Sequence, residues 1–250
     1  GNIGPAQSDY FQATRGGGHG DYRHIVLAPC SVQEIIDLMG LAFDLADRYR
    51  NPVMMVGDGI LGQMMEPVEL TDAEPPAPPA RPWATTGTRG RGRTNIINSL
   101  YIVPEELEAV NRRLAAKYAR MEEEEQRWET YRLDGAEVVV VAYGTMARIA
   151  RAAVNRACAR GVAAGLIRPV TLWPFPRRAF AQVGPGARCF LAVEMSAGQM
   201  VDDVRLAVDG TRPVYFYGRA GGVVPSVREV AEAIIKVAGG ATGDQDLCQT

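Results

Sequence analysis

The feature that most limits what this chain can fold into is a regular alternation of apolar runs and helical periods between residues 131 and 238. AEVVVVAYG (136–144) reads as a strand, and 146–160 as a helix ended by Gly161. VAAGLIRP (162–169) reads as a second strand, followed by a short helix from Phe175 to Val183 behind two prolines. ARCFLAVE (187–194) and RPVYFYG (212–218) read as further strands, each leading into a helix, over 199–208 and from Ser226 to Val237. Strands of this length separated by single helices predict a parallel, doubly wound sheet, because each covering helix must return the chain to the same edge of the sheet.

The first 70 residues follow a weaker version of the same plan. His24 opens a short apolar run ending at Pro29, which predicts a strand over 24–28. Ser31 with Glu34 three positions on has the capping-box pattern at the start of a helix over 32–49. Its apolar positions Ile35, Leu38, Met39, Ala42, Leu45 and Ala46 repeat with helical period. VMMVG (53–57) is apolar throughout, as expected of a parallel strand covered on both faces. Two strands and one helix cannot cover a sheet on both sides, so this piece is expected to need missing N-terminal residues, another subunit, or both.

Between the two α/β segments the composition changes. TDAEPPAPPARP carries five prolines in 12 residues and reads as extended chain. Arg89, Arg91 and Arg93 follow, set among glycines. After Val103-Pro104 a helix is expected to about Trp128, with Leu107, Val110, Leu114, Tyr118 and Met121 forming one apolar stripe. Glu122 to Glu125, at its far end, reads as a solvated face. The expected organisation is therefore an incomplete α/β unit over 1–70, a linker over 71–103, a connecting helix over 104–130, the doubly wound domain over 131–238 and a frayed tail over 239–250.

Charge and cysteine usage narrow the function classes. With 27 basic and 29 acidic residues the formal charge is -2, which speaks against nucleic acid as partner. Cys30, Cys158, Cys189 and Cys248 include no CxxC pair, so no zinc or iron–sulfur framework is expected in this chain. Cys158 and Cys189 fall in apolar patterns and read as buried small hydrophobes. No apolar run reaches the length of a membrane span, and no secretory pattern opens the chain, so a soluble, cytoplasmic protein without a membrane partner is expected.

Function in a doubly wound sheet collects at the carboxyl ends of its strands, here Gly144-Thr145, Arg168-Pro169, Glu194-Met195-Ser196 and Gly218-Arg219. Glu194 ends an apolar strand before a small-residue turn and reads first as a helix cap. The glycine-rich stretches there do not match a dinucleotide fingerprint, and no P-loop exists. Gly57-Asp58-Gly59 begins like a diphosphate–Mg²⁺ motif but lacks its asparagine partners. The next asparagine is Asn95, so a tight strand-to-helix turn is the expected role and no metal ligand is assigned. The loop containing Gln7, Asp9, Gly18, His19, Gly20 and Asp21 is dense in polar groups and in glycines that admit close approach. It reads either as a surface turn or as a loop facing a cofactor or a partner.

Long stretches of the chain also carry a family resemblance. GNIGPAQSDYFQATRGGGHGDYRHIVLAPCSVQEIIDL, followed by AFDLADRYRNPVMMVGDGILGQMMEPVE, resembles the alpha subunit of 2-oxoacid:ferredoxin oxidoreductases, most of all the branched-chain, 2-oxoisovalerate type. VEMSAGQMVDDVRLAV and YGRAGGVVPS are similar to the same subunit's later part. The resemblance implies part of a thiamine-diphosphate pyrimidine-binding domain followed by a transketolase C-terminal-like domain. It implies oxidative decarboxylation of a 2-oxoacid with coenzyme A to acyl-CoA, CO₂ and reduced ferredoxin. Thiamine diphosphate with Mg²⁺ would be shared with a beta subunit that carries the diphosphate motif. Iron–sulfur clusters would sit in partner chains, which include gamma and ferredoxin-like delta subunits. On this resemblance the chain is truncated at its N-terminus. The activating glutamate and substrate-binding arginine would lie before Gly1, so no catalytic residue is assigned, and Gln7, Asp9 and the Gly18–Asp21 loop are the cofactor-facing candidates. The alternatives are a beta-component-like subunit of another thiamine-dependent 2-oxoacid dehydrogenase and a noncatalytic scaffold.

Overall fold

Helical and strand periods along the chain resolve into eight helices and eight strands among the described residues, which in this computed structural model are 1–70, 80–88 and 90–240. In chain order they are α1 (Tyr10–Arg15), β1 (Ile25–Leu27), α2 (Val32–Tyr49), β2 (Val53–Met55), α3 (Gly59–Gln63), α4 (Pro104–Glu124), β3 (Trp128–Tyr131) and β4 (Val138–Val141). They continue with α5 (Gly144–Cys158), β5 (Ala164–Pro169), β6 (Thr171–Trp173), α6 (Arg177–Phe180), β7 (Cys189–Glu194), α7 (Met200–Val208), β8 (Val214–Gly218) and α8 (Val227–Ala238). The prolines at 75–79, Arg89, Cys248 and the tail from 241 lie outside the described residues.

The larger sheet has the order β3-β5-β4-β7-β8, with β4, β5, β7 and β8 parallel, as the alternation predicts. Helices α5 and α8 cover one face, where Val138, Val140 and Leu191 meet Met146, Ala150 and Ile234. Ser226 and Glu229 complete the expected capping box at the start of α8. The opposite face carries Val139, Val141 and Phe190, which pack with α6, α7 and residues of the first 70, so one apolar core runs through both α/β segments.

Several expectations are corrected. The edge strand β3, antiparallel to β5, lies where the connecting helix was expected to end, because α4 stops at Glu124. Glu125 is not solvated. It is 1% exposed and takes hydrogen bonds from Tyr49, Arg48 and Arg127. The apolar stripe of α4 packs only toward its end, where Met121 is buried, while Leu107 stays exposed. Met39 of α2 is likewise on the outside, beside Phe43. The polar N-terminal loop includes the helix α1, and the turn after Asp58 continues into α3.

The first unit takes one strand from the second α/β segment. Its sheet has the order β2-β1-β6, and β6 comes from the second α/β segment, pairing antiparallel with β1. The two segments are thus interlocked through a shared strand rather than joined only by the linker.

Candidate functional site

In the larger sheet the strand order reverses between β4 and β7, and a doubly wound sheet opens a crevice at the carboxyl ends of such a pair. Gln7 fills it. Its Nε2 donates to the carbonyl of Tyr143 beyond β4 at 3.0 Å, and its Oε1 accepts from the amide of Met195 beyond β7 at 3.0 Å. Its own backbone N–H donates to Met195 O at 2.8 Å, and the Tyr143 hydroxyl donates to its carbonyl at 3.2 Å. Gln7 is 5% exposed. With both ends of its amide engaged inside the protein, it holds the chain in place rather than presenting a group to a ligand.

The neighbouring polar groups are satisfied in the same inward manner. Glu194, fully buried, accepts from the hydroxyl of Ser196 and from the backbone amides of Gln199, Met200 and Val201, so it caps α7 as the small-residue turn suggests. Burial raises the pKa of its carboxyl against the downward pull of those donors. Gly144 has φ +55°, and a Cβ there would lie 3.3 Å from Gln7 Nε2 and 3.7 Å from Asp58 Oδ2. Asp58 Oδ1 accepts from the amides of Ile60 and Leu61, which makes it the N-cap of α3.

Further along the same edge, Arg168 leaves the end of β5 and enters a two-carboxylate clamp. It donates to Glu34 through Nη1 and Nη2, at 2.9 and 2.7 Å, and to Glu129 at 3.1 Å through Nε. Glu34 also accepts from the amide of Cys30, so it departs from a full capping box. Its backbone N–H meets Ser31 as expected, while its carboxylate reaches past Ser31. The Cys30 thiol, half-buried beside this pair, has a pKa pushed up to about 11, chiefly by burial.

Open space remains at the carboxyl end of the smaller sheet. A cavity of about 320 Å³ is lined by Asp9, Gln12, Ala13 and Met54–Gly57. Of the candidate residues only Asp9 lines this cavity. Gly18, His19, Gly20 and Asp21 lie beyond the far end of α1, just ahead of β1, where the Tyr22 hydroxyl accepts from the amides of Gly17 and Gly18 and Asp21 faces α4. His19 is exposed. The structure therefore divides the candidate loop into two places separated by α1. The cavity's lining includes no basic side chain, and no cluster of metal-ligating side chains occurs among the described residues. These residues do not fit a diphosphate or its Mg²⁺.

The Gln7 plug and the Arg168 clamp were not assigned from sequence. The available signal was Arg168 at the polar end of an apolar strand and Glu34 in the first turn of a helix, without any indication of what they face.

Comparison with known proteins covers nearly the whole chain. Residues 1–134 match the family model described as pyruvate flavodoxin/ferredoxin oxidoreductase, thiamine diphosphate-binding, and residues 136–230 match pyruvate:ferredoxin oxidoreductase core domain II. Ketoisovalerate oxidoreductase subunit VorB of Methanothermobacter thermautotrophicus is 48% identical over 239 residues, covering 96% of this chain and 67% of the relative. 2-oxoglutarate synthase subunit KorA of Archaeoglobus fulgidus is 34% identical over 221 residues, covering 86% of this chain and 62% of its own. Among solved structures, 2-oxoglutarate:ferredoxin oxidoreductase from Magnetococcus marinus shares the fold with a TM-score of 0.71 and 23% identity, over 94% of this chain and 46% of that one. No helix among the described residues is long and apolar enough to cross a membrane.

Proposed function

This chain belongs to the pyruvate flavodoxin/ferredoxin oxidoreductase family, and from that premise we propose that it serves as the alpha subunit of a thiamine-diphosphate-dependent 2-oxoacid:ferredoxin oxidoreductase acting on 2-oxoisovalerate or another branched-chain acid. The observation that carries this reading is the 48% identity to a ketoisovalerate oxidoreductase subunit across 96% of the chain, against 31–34% to 2-oxoglutarate synthase subunits. The reaction joins the acyl group of the 2-oxoacid to coenzyme A, releases CO₂ and passes two electrons to ferredoxin.

The arrangement of polar groups supports a shared site. The carboxyl edge of the larger sheet is filled by Gln7 and the Glu34–Arg168 pair, so the chain's contribution is a wall built around Asp9 at the end of β2. On this reading the thiamine diphosphate and its Mg²⁺ are held by a beta subunit seated against that wall. The exposed Gly18–Asp21 loop faces a partner. Iron–sulfur clusters reside in gamma and ferredoxin-like delta subunits, and the complex works in the cytoplasm.

The test is anaerobic purification of the complete gene product with its co-expressed partners, followed by coenzyme A-dependent viologen reduction. Reduction with 2-oxoisovalerate that exceeds pyruvate and 2-oxoglutarate, and that requires added thiamine diphosphate, is the expected result. A stable, cofactor-loaded complex that reduces nothing would overturn the reaction class. A preference for 2-oxoglutarate would overturn the substrate.

A further inference from the structure

A second cavity, of about 360 Å³, opens between α4, the β6–α6 turn and α7, on the other side of α1 from Asp9. Its charges do not balance internally. Arg15 is matched, since its guanidinium donates to both oxygens of Asp203 at 3.0 and 3.2 Å. Arg23 and Arg177 also line the cavity, and among the described residues neither has a carboxylate within ion-pair distance. Among the described residues Arg23 donates only to the carbonyl of Tyr22. Glu122 is the one unmatched acid on the wall. Between these charges lie Trp173, Phe175 and Leu206, the last 58% exposed.

Two unmatched guanidinium groups in a mostly polar cavity that also holds Trp173 and Leu206 suit a planar carboxylate, which accepts paired N–H bonds from such forks. They suit a compact tetrahedral polyanion less, because Glu122 on the same wall repels each added negative charge. We infer that this cavity binds a small organic carboxylate, its charged end between Arg23 and Arg177 and its apolar body against Trp173 and Leu206. The site draws its walls from both α/β segments and from the connecting helix, so an occupant would tie the three together. The inference is independent of the proposed reaction, because binding is read without turnover.

The experiment is calorimetric titration of the complete gene product with isovalerate, the uncharged isovaleramide and inorganic phosphate. Saturable binding of isovalerate, with the amide and phosphate each at least about tenfold weaker, is expected. Arg23→Gln and Arg177→Gln should each weaken isovalerate binding by about tenfold, the worth of one charge-assisted contact. Leu206→Trp, which fills the cavity at a half-exposed position without altering charge, should remove binding while the melting temperature stays near that of the parent. Isovalerate affinity unchanged in all three variants would place the ligand elsewhere and overturn the site. Absence of saturable binding would overturn it as well, and phosphate binding tighter than isovalerate would overturn the ligand class.

Discussion

Gln7 and Met195 exchange hydrogen bonds in both directions, backbone N–H to carbonyl at 2.8 Å and amide N–H to side-chain Oε1 at 3.0 Å. The first of these is the pattern of a strand pair, made by a residue that belongs to no strand. The second places a side chain at the point of the sheet where a ligand would otherwise sit. The carboxyl edge of the larger sheet has thereby become an internal joint between the two α/β segments.

Removing the Gln7 side chain should loosen that joint. Gln7→Ala leaves the Met195 N–H buried without its acceptor, at a cost of about 1–3 kcal/mol, while Tyr143 O keeps the Ala147 amide as a donor. Gln7→Glu should be worse, since a carboxylate oxygen would face the Tyr143 carbonyl. Chemical denaturation of the two variants checks this, and an unchanged midpoint for Gln7→Ala would show that the joint is held by other contacts.

The Glu34–Arg168 pair should be asymmetric. Arg168 is buried, with 5% of its side chain exposed, whereas Glu34 is 24% and Glu129 57% exposed. Arg168→Met strands two carboxylates that retain some water, and about 3 kcal/mol of stability should be lost. Glu34→Gln leaves the guanidinium its second partner, so a smaller loss is expected. Equal losses in thermal or urea unfolding would contradict the picture of Glu129 as a reserve partner.

Asp58 acts as a helix cap, and its substitutions should follow capping rules rather than metal-ligand rules. Asp58→Ala should cost about 1 kcal/mol, while Asp58→Ser or Asp58→Asn should cost little. Added Mg²⁺ should leave the melting temperature of the isolated chain unchanged. A Mg²⁺-dependent rise that vanishes in Asp58→Asn would restore a metal role to this turn.

The thiols of Cys30 and Cys189 both have pKa values of about 11, chiefly through burial. A thiol whose folded pKa lies above its unfolded value holds its proton more tightly in the native state. Its contribution to stability is therefore in place below about pH 9 and is lost as pH rises toward 11. Alkylation of Cys30 should be slow at neutral pH and accelerate above pH 9, as read by mass spectrometry of native protein. Rapid labelling of Cys30 at pH 7 would contradict a thiol disfavoured as thiolate.

Local chemistry was legible in the sequence where it depends on near neighbours. The strands over 136–144, 187–194 and 212–218 announce themselves by apolar runs of fixed length, and Ser226 with Glu229 caps its helix without reference to the rest of the fold. Asp58 could be read as a turn residue because its two acceptor bonds go to Ile60 and Leu61, close by in sequence. Glu194 is similar, since its donors lie within the next seven residues.

Relations between distant residues were not legible. Nothing in TLW (171–173) says that it leaves one α/β segment to complete the sheet of the other, because a short apolar run is indifferent to which edge it pairs with. Glu125 follows three glutamates in a row, and only the approach of Arg48, Tyr49 and Arg127 makes one of the four a buried acceptor. Residue order by itself determined the parallel α/β class, the helix caps and the family, since each rests on patterns carried within short stretches or on their order. The tertiary structure alone decided that Gln7 closes the switch point and that Glu34 meets Arg168. Both depend on the free energy of burying polar groups against partners 188 and 134 positions away, which no local pattern encodes.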